Sequence, residues 1–201
     1  MTVTSFDPEK QIISPESKIV VALERISEAF RVLLWNESKQ NALSPIQIQI
    51  LLFLQFHPRE LSKISYLATE FNMTKATISD SVRVLVEKEL IEKVKDENDS
   101  RSFNLFVTTK GQKIVNQVAG FSNVMEQPIS KLSQQQKEVL LLSLIELITK
   151  LDQQGIITVQ RMCNSCRFYK KTDTGHFCNF LQQPLQSQEL RIDCPEHVSH
   201  N

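Results

Sequence analysis

Two groups of side chains in this sequence have types and spacings that could do chemistry. The first is Cys163, Cys166, Cys178 and Cys194, spaced C-x2-C-x11-C-x15-C, with no cysteine earlier in the chain. Thiolates are soft ligands. A two-residue gap lets two of them face one centre, and two later cysteines complete a set of four. A structural or sensing zinc ion is the first expectation, because tetrahedral thiolate sites dominate short cytosolic knuckles. A [4Fe–4S] cluster is the second, favoured by the uneven spacing and by Pro195 directly after the last cysteine. Unligated thiols or a reversible disulfide form the third. His176 and His197 lie in the same segment, but a lone surface histidine is more often simply solvated, and both stay outside the expected ligand set.

The second group is Thr74, Lys75, Thr77, Ser79 and Arg83, followed by Lys93, Lys95 and Arg101. Short hydroxyls reach base edges or phosphates, and Arg can hydrogen-bond guanine through two donors. Asp96, Glu97 and Asp99 lie among the later basic residues and partly cancel them. The chain has 23 Lys and Arg against 23 Asp and Glu, so any attraction to nucleic acid must come from a local patch rather than from net charge.

The elements that must position these residues follow from apolar periodicity. Ser14-Pro15 starts a helix carrying Ile19, Leu23, Ile26, Phe30, Leu33 and Leu34 on one face, ending near Ser38. Ser44-Pro45 starts a second, apolar on most sides and therefore buried, stopped at His57-Pro58. Leu61, Ile64, Leu67, Ala68 and Phe71 mark a short third helix. After a turn at Asn72-Met73, Thr74 caps a fourth, whose stripe is Ile78, Val82, Leu85 and Val86. The period then changes to that of strands at 91–95 and 103–107, joined by a polar hairpin tip. Thr108 caps a helix expected to run to Gln127, where Pro128 breaks it. Ser133 caps the last, with Leu140, Leu141, Leu144, Ile145, Leu147, Ile148 and Leu151 recurring until Gln154-Gly155.

Helix, turn, helix and two-stranded hairpin place one helix in a major groove and a wing beside the phosphates. The segment LSKISYLATEFNMTKATISDSVRVLVEKELIEKVKD, with DENDSRSFNLFVTTKG at the wing, resembles the multiple-antibiotic-resistance regulator (MarR) family across about residues 15–155. The family's wing pattern appears as Asp99, Arg101, Leu105, Thr108 and Gly111. The resemblance implies a homodimer whose first and last helices interdigitate, each protomer presenting one recognition helix to half of an inverted-repeat operator on double-stranded DNA. One departure stands out. Glu89 occupies the place where the family usually has glycine after the recognition helix, so either the helix ends differently or the wing is re-aimed.

The expected fold is therefore mainly α with a small two-stranded wing, a winged helix-turn-helix with N- and C-terminal dimerisation helices and a metal-stapled tail. The expected divisions are a flexible N-terminus at 1–14, the MarR-type domain at 15–155 and a cysteine-rich metal-binding tail at 156–201. In the tail, Phe168, Phe177, Phe180 and Leu181 offer only a small core. The expected function is a cytoplasmic DNA-binding transcription regulator, a repressor responsive to metal, redox state or a small-molecule effector. No span of apolar residues is long enough for a membrane. No catalytic constellation or phosphate-cradling glycine motif is visible, and only four glycines occur, so an enzyme is not expected. The competing readings are thiol–disulfide exchange at Cys163 and Cys166, and a winged helix used for protein contact.

Overall fold

The computed structural model of the chain describes residues 4–96, 102–157, 161–173 and 175–200. Helix α1 (Pro8–Ile13), capped by Asp7, lies inside the segment expected to be flexible and carries no apolar periodicity that would have disclosed it. The long α2 (Pro15–Asn41) starts where Ser14 accepts from the Ser17 amide and ends in a left-handed Ala42. Helix α3 (Pro45–Phe56) begins with a reciprocal cap between Ser44 and Gln47. Its Ile48, Ile50 and Leu51 are completely buried, as its all-round apolar pattern predicts.

Around α3 pack α2, α5 (Lys75–Glu87), α6 (Thr109–Val118) and the strand β2 (Phe103–Val107). The short α4 (Ile64–Glu70) precedes α5, and Asn72 takes the left-handed conformation (φ 55°) at the turn between them, which asparagine tolerates better than most residues. Strand β1 (Ile91–Lys95) pairs antiparallel with β2 in register Ile91 to Val107. The Leu105 amide also donates to Ser62 O at 3.1 Å, tying the wing to the turn before α4.

Glu89 does adopt the left-handed conformation, with φ 60°. Its amide donates to Val86 O at 2.8 Å and that of Leu90 to Leu85 O at 2.9 Å, the hydrogen bonds a glycine would make at this helix end. Helix α5 therefore ends as glycine would end it, with the strain carried by Glu89. Lys110 holds the Glu89 carboxylate at 3.0 Å, and Thr108 Oγ1 donates to its carbonyl at 2.7 Å. Gly111 is required by contact rather than by φ, since a Cβ there would sit 2.0 Å from Leu90 O.

The helix expected from Thr108 to Gln127 is broken. Helix α6 stops at Val118, a tight turn follows at Gly120, and one turn of 3₁₀ helix (Asn123–Met125) leads into α7 (Glu126–Ser130). Gly120 is a weak helix former, and Pro128 sits in the first turn of α7, where its missing N–H is not needed. Proline thus does not break the helix here; glycine does. Helix α8 (Gln134–Gln153) has the expected cap, Ser133 with Gln136, and Gly155 (φ 69°) ends it. No helix among the described residues is long and apolar enough to cross a membrane.

The tail adds a sheet that the sequence did not announce, β3 (Tyr169–Thr172), β4 (Gly175–Cys178) and β5 (Gln183–Leu185), in order β3-β4-β5. Its core also differs from expectation. Phe180 and Leu181 are exposed, while Met162, Leu185 and Leu190 are buried against Ile145, with Leu141, Leu142 and Ile148 of α8 beside them. The tail borrows half its core from α8, which relieves it of burying enough apolar surface alone.

A second attachment reaches the helix-turn-helix. The Arg161 guanidinium bonds Glu70 of α4 at 2.5 Å, Asp193 at 2.6 Å and Tyr66 Oη at 2.8 Å, and lies 5.3 Å over the Phe53 ring. His57 stacks on Phe53 at 3.9 Å and meets Asp193 at 2.7 Å. Burial opposes the charge of Arg161, but hydrogen bonds with Asp193, Glu70 and Tyr66 outweigh it and raise its pKa. Burial likewise pushes Asp193 up, yet Arg161 and His57 hold its carboxyl below the ordinary value.

Replacing Glu89 by Gly is expected to stabilise the domain by about 0.5 kcal/mol, the relieved backbone strain exceeding the added chain entropy. Gly111→Ala should destabilise it by about 2 kcal/mol through the Leu90 clash. Chemical unfolding checks both, and a stabilising Gly111→Ala would contradict the close approach. Arg161→Ala leaves two carboxylates facing each other and should cost on the order of 2 kcal/mol, below the fully buried value because Asp193 is partly open to water. Limited proteolysis of the full chain should then cut first after residue 157. A cleavage pattern identical to that of the parent would show that the tail is not pinned by Arg161.

Candidate nucleic-acid interface and cysteine site

Helix α5 presents one face to the core through Ile78, Val82 and Leu85, and this fixes which residues face water. Thr74, Lys75, Thr77, Ser79 and Arg83 are all exposed on the opposite face. Thr74 caps the helix by accepting from the Thr77 amide at 3.1 Å, and the two hydroxyls meet at 2.9 Å. The face is polar from end to end apart from Ala76. It also carries Asp80 and Glu87, which bond Arg83 at 3.2 and 3.4 Å and raise its pKa. Pairs this exposed are weak and can be exchanged for other acceptors.

Lys93 and Lys95 are exposed on β1, so Lys95 stands at the base of the wing as expected. Arg101, the expected wing anchor, lies outside the described residues. Asp96, directly after β1, is buried. Its carboxylate bonds Lys63 at 2.5 Å and Ser102 at 3.3 Å, and its amide donates to Ser102 O, closing the base of the hairpin. Arg59 was not singled out in the sequence. It is exposed beside the wing, with its guanidinium 5.0 Å over the Phe106 ring.

The structure brings the four cysteines together. Cys163 and Cys166 flank a 3₁₀ turn, Cys178 ends β4, and the Cys194 amide is held by Arg161 O at 2.9 Å. All four are free thiols, and all line one cavity of about 290 Å³, walled further by Phe168, Tyr169, Leu185 and Arg191. The Arg191 amide donates to Cys163 Sγ at 3.3 Å, and its guanidinium to Cys194 Sγ at 3.8 Å. Burial pushes the Cys163 and Cys194 thiols above their ordinary pKa. His176 is engaged by Tyr169 Oη at 2.6 Å and His197 by Ser165 Oγ at 3.0 Å, and neither lines the cavity. Among the described residues no three His, Cys, Asp or Glu side chains are grouped so as to hold one metal ion.

Known proteins match this arrangement at the winged helix. Residues 43–102 match the model of the MarR family. The crystal structure of the Staphylococcus aureus MepR–DNA complex is similar at 26% identity, covering 65% of this chain and 96% of that one, with a TM-score of 0.57. S. aureus MepR in its DNA-binding conformation is similar at 25% identity, covering 66% and 98%, with a TM-score of 0.59. A MarR transcriptional regulator from Methanosarcina mazei Go1, 19% identical over 65% and 95%, shares the fold with a TM-score of 0.54. No curated protein sequence matches the chain. About a third of this chain is left without a counterpart in those structures. The winged helix-turn-helix of this chain is thus similar to that of MarR-family regulators, over the residues the family model matches.

Proposed function

We propose that the protein is a transcription regulator that binds double-stranded DNA as a homodimer. The observation that carries this reading is the exposed, polar N-terminal half of α5, set in a winged helix similar to that of a MarR-family protein solved with DNA bound. Thr74, Lys75, Thr77, Ser79 and Arg83 enter a major groove, where Arg83 exchanges Asp80 and Glu87 for a base edge. Lys95 at the wing contacts phosphate, as does Arg101. Use of this face for protein contact is not favoured, because such a face would carry apolar residues and this one has only Ala76.

Dimer formation is supported by apolar surface on the long helices. Ile19, Val20, Ile26 and Trp35 of α2 are about half exposed or more, as is Val139 of α8, with Leu140 and Leu147 beside it. A monomer would leave an apolar area that soluble chains normally cover. A two-fold dimer presents two α5 helices to a pseudo-palindromic site, and occupancy over a promoter makes the regulator a repressor. Such a protein works where the genome is, in keeping with the cytoplasmic placement expected from the sequence, and none of these roles requires it to be an enzyme.

Selection from a pool of genomic fragments should return a pseudo-palindrome bound with strong salt dependence. Lys75→Ala and Arg83→Ala should weaken that site by about an order of magnitude or more and relax its sequence preference. Lys95→Ala should weaken all sequences alike and reduce the salt slope by about one per protomer. Light scattering should give a dimer, reduced to monomer when Ile19 and Ile26 are both replaced by Glu. A monomeric parent protein with salt-insensitive binding would remove the proposal.

A further inference from the structure

The four cysteines open onto a single cavity of about 290 Å³. One tetrahedral zinc ion would draw its thiolates to about 3.8 Å from each other, as Zn–S bonds of about 2.3 Å require. Among the described residues no three His, Cys, Asp or Glu side chains are gathered in that way. A cubane of four irons and four sulfides instead keeps its thiolates apart, on the outside of the cluster body. We propose that Cys163, Cys166, Cys178 and Cys194 hold one [4Fe–4S] cluster in this cavity.

Three further observations fit this centre. Zinc knuckles commonly bring their ligands as two close pairs, whereas here only Cys163 and Cys166 are close, and fifteen residues separate Cys178 from Cys194. A cluster accepts ligands from separate parts of the chain, and these four come from a 3₁₀ turn, the end of a strand and a loop followed by Pro195. The wall supplies what such a cluster needs from a protein. Phe168, Tyr169 and Leu185 limit water, the Arg191 amide donates to Cys163 Sγ, and the Arg191 guanidinium stands at Cys194 Sγ. Transfer of a preformed [4Fe–4S]2+ core from a donor bearing four thiolate ligands breaks those four Fe–S bonds and forms four Fe–Sγ bonds here, the four cysteine protons passing to the departing thiolates, with no change of oxidation state. The four thiolates and the core then carry a net charge of 2−, of which Arg191 offsets only a part, since it is also paired with Glu196 of the same wall at 3.0 Å.

The proposal is independent of DNA binding, and so is its test. The full-length protein, purified without air or reconstituted with ferric iron, sulfide and a thiol reductant, should be brown and contain about four irons and four acid-labile sulfides per chain. Mössbauer spectra should show a delocalised cubane, and reduction with dithionite should bleach the visible absorption and give a paramagnetic signal. Cys166→Ser should lose most of the iron while keeping the helical far-UV circular dichroism of the parent, which shows that the winged helix remains folded. The parent protein decides the matter even if that variant does not fold. One zinc per chain without iron would overturn the proposal in favour of a mononuclear site. A colourless, metal-free protein after anaerobic reconstitution would overturn it outright.

Discussion

Ile48, Ile50 and Leu51 lie on three sides of α3 and have no exposed surface, so this helix can exist only if other elements enclose it. Each such side chain contributes about 1.5–3 kcal/mol when taken from water, and no partial enclosure realises that. Helices α2, α5 and α6 and strand β2 supply the enclosure. The orientation of α5 follows, because its Ile78, Val82 and Leu85 must face α3 and its polar residues must then face out. The polar outer face of α5, proposed to read DNA, is thus a consequence of burying α3. The wing is fixed by the same core, with Leu105 buried inside it and Gly111 letting α6 approach the Leu90 carbonyl.

The other end of α3 explains where the tail sits. Phe53 is in the core, His57 stacks on it, and Arg161 lies over the same ring while bonding Glu70 and Asp193. Removing a guanidinium from water is costly, and it is tolerated here because most of its donors are satisfied by two carboxylates and a phenol. None of this could be read along the sequence. Arg161 is 91 residues from Glu70, and nothing in its neighbours distinguishes it from other surface arginines. Pairing of that kind is set by the tertiary fold alone.

The elements that were legible are those governed by local rules. Ser14, Ser44, Thr74 and Ser133 each cap a helix as their side chains allow, and the stripes of α2, α3, α5 and α8 emerged from spacing. Glu89 shows the limit of such rules. Its side chain disfavours a left-handed turn, yet the hydrogen bonds to Val86 and Leu85 carbonyls and the contacts with Thr108 and Lys110 impose one. At 108–130 the competing signals were Pro128 and Gly120, and the wrong one was weighted, because proline interrupts a helix only beyond its first turn. The strands of the tail escaped notice since their packing partner is α8, far away in sequence, and their own apolar residues are few.

The position of Cys194 joins the two halves of the molecule. Its neighbour Asp193 is the residue that holds Arg161, its own amide is bonded to the Arg161 carbonyl, and its sulfur faces the cysteine cavity. A centre bound at Cys194 therefore fixes Asp193, and with it the ion pair that reaches Glu70 at the end of α4, immediately before the Asn72 turn into α5. Across the tail, Met162, Leu185 and Leu190 press on Ile145 of α8, the helix whose exposed Val139, Leu140 and Leu147 are proposed to meet a partner protomer. The tail thus touches both the helix pair that sets the reading face and the helix that would set the distance between two such faces. Local loss of order in a segment acts on the rest of a molecule through the contacts that segment makes. Here those contacts are with α4 and α8, so the tail is packed against both the helix that leads into α5 and the helix whose exposed apolar residues are proposed to meet a partner protomer.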